Sequence, residues 1–280
     1  FTQCGNASFV ATARRAGNPN LDPETSTTWT VGTVLQPSFL NTGQLRTTFT
    51  ADYWEVRQKG LVGVFGEGNA LIVDYLLRTQ GQTNPAVTRE APTADDIARV
   101  AGTGLAPVGR ILYVDDLYQN LEPQKVRGLD FSFNMSLKDT GVGNFNLTLN
   151  ASRMLEYSRS PSPGIQALLD ARAAGKINIG TNIPESGSLL GIDGIPKWRG
   201  SASLIWSLGG FQVGSFAQYT GPVTDDDVTD ATGANWAVKG QVTANLYVQY
   251  EFAEGALAKT RIRVGARNLT NARPPIESGS

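Results

Sequence analysis

Residues 129–138 read LDFSFNMSLK. Leu129, Phe131, Phe133, Met135 and Leu137 are apolar, and Asp130, Ser132, Asn134, Ser136 and Lys138 between them are polar. Successive side chains of a strand point to opposite faces, so this period of two predicts a strand with one oily and one wet face. Residues 241–252, QVTANLYVQYEF, repeat the pattern. Val242, Ala244, Leu246, Val248, Tyr250 and Phe252 share one face there, and Gln241, Thr243, Asn245, Tyr247, Gln249 and Glu251 the other.

The same rule, less strictly kept, predicts strands near 25–36, 45–54, 145–152, 201–208, 211–219 and 261–267. That makes about eight, many of ten residues or more, whereas soluble strands have a mode near 5–6 and a tilted membrane strand needs roughly 9–11. The connections alternate. Short turns are expected at 37–43, 139–143, 209–210 and 253–259, and long stretches at 57–109, 158–196 and 220–237. An up-and-down sheet with its tight turns at one end and its long loops at the other gives this order, as outer-membrane barrels do. Within the long stretches, 69–78 (NALIVDYLLR), 93–100 and 165–174 read as short helices, the second opened by the capping pair Thr93 and Asp96.

Composition narrows the function classes. The chain of 280 residues carries 24 Lys and Arg against 25 Asp and Glu, a net charge of −1, so no basic excess points to nucleic acid. It has no His and one Cys, which removes His-dependent triads, internal disulfides and thiolate metal sites. No run of residues reaches the ~18 apolar positions of a membrane-spanning helix. The protein therefore lies outside the membrane or crosses it as strands. Two fold readings remain from alternation alone: a soluble β-sandwich, and an all-β antiparallel up-and-down transmembrane β-barrel. Strand length, loop segregation, a wet face rich in Asn, Ser, Thr and Gln, and aromatic residues near strand ends favour the barrel. If the oily face meets lipid, the sheet must close. Eight strands leave both chain ends on the long-loop side, so the chain is expected to be a fragment, with strands before Phe1 and after Ser280.

No catalytic constellation, cofactor site or metal site is read. Asp225, Asp226 and Asp227 fall in a long loop without calcium-loop spacing and are expected to be solvated. Asp95 and Asp96 fit the charge preference of a helix N-terminus. The candidates for a substrate path are the polar residues assigned to the wet face: Arg46, Asp52, Trp54, Asp130, Glu156, Arg261, Arg263 and Arg267. Their alternative role is to solvate the barrel interior and pair with whatever fills it.

Four segments, in order along the chain, resemble one family. Residues 17–32 (GNPNLDPETSTTWTVG) resemble the stretch entering a barrel strand in TonB-dependent outer-membrane receptors. Residues 51–56 (ADYWEV) resemble its next, ascending strand, and 128–133 (GLDFSF) a descending one. Residues 263–275 (RVGARNLTNARPP) are similar to the penultimate strand and its Pro-Pro exit. The resemblance implies that 1–280 is part of a 22-stranded barrel closed by an N-terminal plug, here without the plug, its TonB-contacting box or the last strand. It implies active uptake of a scarce ligand, such as a ferric siderophore, a vitamin or an oligosaccharide, across the outer membrane of a Gram-negative bacterium. The implied partners are outer-membrane lipid, the plug of the same chain, and TonB reached through that plug. In the family, loop cysteines often pair upstream, so Cys4 is either paired before Phe1 or a free thiol. A passive outer-membrane channel and a soluble β-rich binding module or adhesin are the alternatives.

Overall fold

A computed structural model describes residues 12–181, 183, 187–229 and 232–274. Eight consecutive strands make up the main sheet: β1 (Thr25–Leu35), β2 (Leu45–Lys59), β3 (Gln124–Thr140), β4 (Gly143–Arg159), β5 (Trp198–Leu208), β6 (Phe211–Thr220), β7 (Gln241–Glu251) and β8 (Arg261–Ala266), with the two-residue strand Gly187–Ser188 paired onto β4 as a ninth. Each is hydrogen-bonded to the next in chain order, an antiparallel meander with β1 and β8 as its edges. The register is unbroken from Trp198↔Arg153 to Ser207↔Asn144 between β5 and β4, and from Arg199↔Thr220 to Leu208↔Phe211 between β5 and β6.

Tight turns join β1 to β2, β3 to β4, β5 to β6 and β7 to β8, and long segments join the rest, as the sequence predicts. The turns have the chemistry that sharp reversal needs. Asp139 (φ 55°) and Gly143 (φ 105°) take left-handed backbone at the β3–β4 turn, and Asn144 Oδ1 accepts from the Asp139 N–H at 2.7 Å. β3 and β4 run 17 residues each, longer than the roughly 9–11 that cross a bilayer. They start or end well beyond the predicted limits, because past the oily stretch both faces turn polar and the alternation fades.

The chain divides into two compact units. One is built from the connecting segments: described residues through Ser26, then Gln58–Gln124 and Arg159–Gly187. It holds three helices, α1 (Glu67–Arg78), α2 (Ala94–Val100) and α3 (Pro163–Ala173), close to the three predicted. It also holds a small sheet the sequence did not announce. Thr12–Arg14 pairs parallel with Ile111–Asp115, which pairs antiparallel with Val87–Arg89. α2 opens with the expected capping box between Thr93 and Asp96. α3 opens on Ser162, whose hydroxyl accepts from the Ile165 N–H at 3.3 Å, with Pro163 in the first turn. Ala70, Val87, Val114, Ile165, Leu168, Ala171 and Ile183 are buried in this unit, with Val114 and Leu168 fully enclosed. Asp74, 1% exposed, is held there by Arg89 at 2.7 Å and by the Asn84 N–H at 2.9 Å.

The other unit is the wall: Thr27–Arg57, Lys125–Ser158 and Ser188 onward. Its oily face has no protein layer over it among the described residues. Trp29, Val31, Phe49, Leu149, Leu204, Leu246 and Val248 are all exposed, and Val264 is 71% exposed. A sandwich in water would bury such a face against a second sheet, so the soluble reading fails here. Aromatic side chains border the oily stripe at both ends. At the tight-turn end the Phe211 and Tyr250 rings lie 4.5 Å apart, Phe252 meets Tyr250 edge-on at 4.9 Å, and Trp206 Nε1 donates to the Val142 carbonyl at 2.8 Å. At the other end Trp29 and Tyr53 lie 5.2 Å apart, and the Arg153 guanidinium sits over the Trp198 ring at 5.3 Å. Trp198 and Trp206 stand eight residues apart on β5. At ~3.3 Å per residue that is roughly 26 Å along the strand, or about 20 Å of depth at a tilt near 40°. This suits a bilayer's apolar band.

Two expectations need correction or bounding. Asp225–Asp227 lie not in an open loop but on a short strand, Val223–Thr229, paired with Asn235–Val238. Cys4 and the Pro275 end of the Pro-Pro exit lie outside the described residues.

Candidate functional site

The wet face of the wall is a polar ladder set by strand register. Arg199 stands opposite Ser152, and Ser201 opposite both Asn150 and Gln218. Side chains bond across the strands: Ser152 Oγ donates to Asp130 Oδ1 at 2.6 Å, and Thr148 Oγ1 to Asn134 Oδ1 at 3.1 Å. The row continues to Thr50 and Asp52 on β2. Together these residues line a groove of about 430 Å³ spanning five strands. It offers two carboxylates, one guanidinium and a set of hydroxyl and amide groups, which suits hydrogen bonding to a polar solute.

Glycines let large side chains lie flat on this face. The Asp52 carboxylate fills the space a Cβ at Gly32 would need, and the Trp54 ring fills that of Gly128. Tyr247 lies over Gly214 in the same way. Arg263 stacks on the Tyr247 ring at 4.3 Å and donates through Nη2 to Gln249 Oε1 at 2.6 Å. Arg261 pairs with Glu251 at 2.7 Å.

A second polar cluster continues the other face, beyond the Trp29–Tyr53 pair. Glu55, 3% exposed, accepts from Tyr53 Oη at 3.1 Å and pairs with Arg57 at 2.6 Å. Lys125 reaches Glu156 at 3.2 Å and Glu55 at 3.8 Å, and Arg127 reaches Glu156 at 2.7 Å. This corrects the placement of Glu156, which strict alternation along β4 assigns to the wet face. Ser152 bonds Asp130 on the wet face, yet Glu156 bonds Lys125 and Arg127, which alternate with Gly128 and Asp130 on the opposite face. The alternation therefore slips by one residue between Ser152 and Glu156, as a β-bulge makes it do.

Of the eight sequence-assigned residues, Asp52 and Asp130 meet in the groove. Trp54 lies on the same face, stacked on Gly128. Arg261 and Arg263 are engaged with β7, and Arg46 and Arg267 do not line the groove. The sequence reading missed Arg199, which shares the parity of Ser201 and would have been found by extending β5 two residues toward its start. It missed Gln218 and the Gly–aromatic stacks too. The stacks carry no signal within one strand, because they depend on which strand lies alongside.

Comparison with known proteins follows the same lines. Residues 5–269 match the family model described as TonB dependent receptor-like, beta-barrel. No curated protein matches the chain. Among solved structures, a mutant of the ferric enterobactin receptor PfeA from Pseudomonas aeruginosa is similar in fold, with a TM-score of 0.50 and 14% identity. The match covers 92% of this chain and 27% of that one. The siderophore receptor PirA from Acinetobacter baumannii is similar at 15% identity and a TM-score of 0.48, over 91% of this chain and 29% of that one. The Serratia marcescens hemophore receptor HasR, solved with its hemophore HasA and heme, is similar at 17% identity and 0.48, over 93% and 31%. The chain thus spans between a quarter and a third of these structures.

Proposed function

The chain belongs to the TonB-dependent receptor β-barrel family, and from that membership we propose that it forms wall and connecting segments of a Gram-negative outer-membrane receptor that takes up a scarce ligand. The observation that carries the reading is the wall itself. Its strands are long, its oily face is uncovered among the described residues and bordered by aromatic side chains, and its opposite face is a ladder of polar side chains bonded across strands. Lipid on one side and an aqueous interior on the other satisfy both faces at once.

Uptake is driven, in this reading, by TonB acting on a plug inside the barrel. The transported ligand is a ferric siderophore, a vitamin or an oligosaccharide. The groove residues Asp52 and Asp130, with Trp54, Arg261 and Arg263 on the same face, lie along the ligand's path or face the plug. Arg46 and Arg267, toward the tight-turn end and past β8, complete the polar interior, whereas Glu156 serves the outer cluster with Lys125.

The test is uptake in cells. A strain lacking the gene is supplied in turn with labelled ferric siderophores, cobalamin and oligosaccharides, with and without TonB. Loss of uptake of one class in both the deletion and the TonB-null strain is the expected result. Uptake that persists without TonB would replace the active receptor by a passive channel.

A further inference from the structure

Helix α1 is apolar on more sides than one packed face requires. Ala70 faces the core, while Leu71, Ile72 and Tyr75 are half-buried and leave one flank open. A helix greasy nearly all round is normally enclosed. Against that flank runs the segment that follows α3, turned by Gly175 in left-handed backbone (φ 70°). Between them lies a hollow of about 620 Å³. Ile177 closes the apolar wall, and Asn178 and Thr181 supply polar groups. The volume suits a small organic molecule.

Among the described residues, Lys176 is the one charged side chain lining this hollow; it is exposed and makes no ion pair with another of them. Arg172 adds a second cation nearby, donating to the Thr181 carbonyl at 3.0 Å. The acidic groups of the neighbouring helices are already engaged, Asp74 by Arg89 and Asp170 by the Gln166 amide at 2.7 Å. An apolar slot with an aromatic ring on its wall and a lone ammonium at its rim is complementary to a flat ring bearing one negative charge.

We propose that this hollow is a binding site for an aromatic acid, its ring laid against Leu71, Ile72 and Ile177 and its carboxylate on Lys176. Binding here is read in purified protein and needs no transport step, so a failed uptake experiment leaves it standing.

The probe is 2-naphthoate, titrated by saturation-transfer NMR into the full chain held in amphipol, with empty amphipol as the blank. Its neutral isostere 2-naphthamide is run alongside. The acid is expected to bind about tenfold tighter than the amide, the worth of one charge-assisted hydrogen bond. Lys176→Met, a surface change, should erase that preference and leave amide binding unaltered. Ile177→Asp should weaken both. Equal binding of acid and amide to the unaltered protein, a preference that survives in Lys176→Met, or no binding above the blank would each overturn the proposal.

Discussion

Placing arginine at successive positions along β5 separates a lipid-facing stripe from every other account of the oily face. Leu204 stands opposite Leu147 on β4 and Ser215 on β6, six residues from Trp198 and four from Leu208. It is therefore close to the middle of the stripe between Trp198 at one border and Leu208, which pairs with Phe211, at the other. A cationic side chain at the bilayer midplane costs about 2–4 kcal/mol, falling to about 0–1 near the interfaces. Leu204→Arg should lower the ratio of folded to unfolded protein roughly 30- to 900-fold. Leu208→Arg, at the border, should cost about 1 kcal/mol or less. Ser203→Arg, one residue away on the wet face opposite Thr148, should be close to neutral, since its guanidinium meets water. Urea unfolding in lipid vesicles, followed by tryptophan fluorescence, reads all three. A Ser203→Arg protein as destabilised as Leu204→Arg would refute the assignment of faces. So would a profile that does not fall from Leu204 to Leu208.

Three further outcomes are expected. Replacing Arg89 by Met strands the Asp74 carboxylate in the connecting-segment core; breaking such a buried pair costs about 3–5 kcal/mol, so amide exchange should quicken in α1 and stay unchanged in β5 and β6. Gly214→Val drives a side chain into the Tyr247 ring, and the overpacking should cost about 1–3 kcal/mol of wall stability, largely recovered when Tyr247→Ala is added. The Thr93 N–H and hydroxyl hold the Asp96 carboxyl below the usual carboxylate range. Its stabilisation of the α2 N-terminus is thus fully present above the unfolded value near 3.8 and is lost as the pH falls through the lower folded value. Exchange at the α2 amides should quicken there, and Asp96→Asn should remove that pH dependence.

Where a residue's environment is set by its own strand, the sequence disclosed it. The stripes at 129–137 and 242–252 announce β3 and β7 because each lies half in lipid and half in water, so hydropathy alternates residue by residue. The signal dies at Lys125 and Arg127, where the oily face ends and both sides of the strand are wet, and β3 began five residues earlier than its pattern showed. Glu156 was misassigned because counting by twos fails across a single inserted residue. The three-stranded sheet around Val114 was invisible for another reason: its members are three to five residues long and lie far apart in the chain. Helices α1 to α3 were legible through their caps and spacing, but the hollow beside α1 was not, since its two walls come from segments about a hundred residues apart in the chain.

The connecting-segment unit has a core of its own, and three separate excursions of the chain furnish it. Val87 and Val114 come from the second excursion and Leu168 and Ile183 from the third, while Thr12–Arg14 from the first completes the small sheet. A chimaera that imports a single excursion from a relative would arrive without the partners its apolar side chains need. Exchange of these connecting segments between relatives must then move all three stretches as a set, and natural recombination that swaps one alone should leave few survivors.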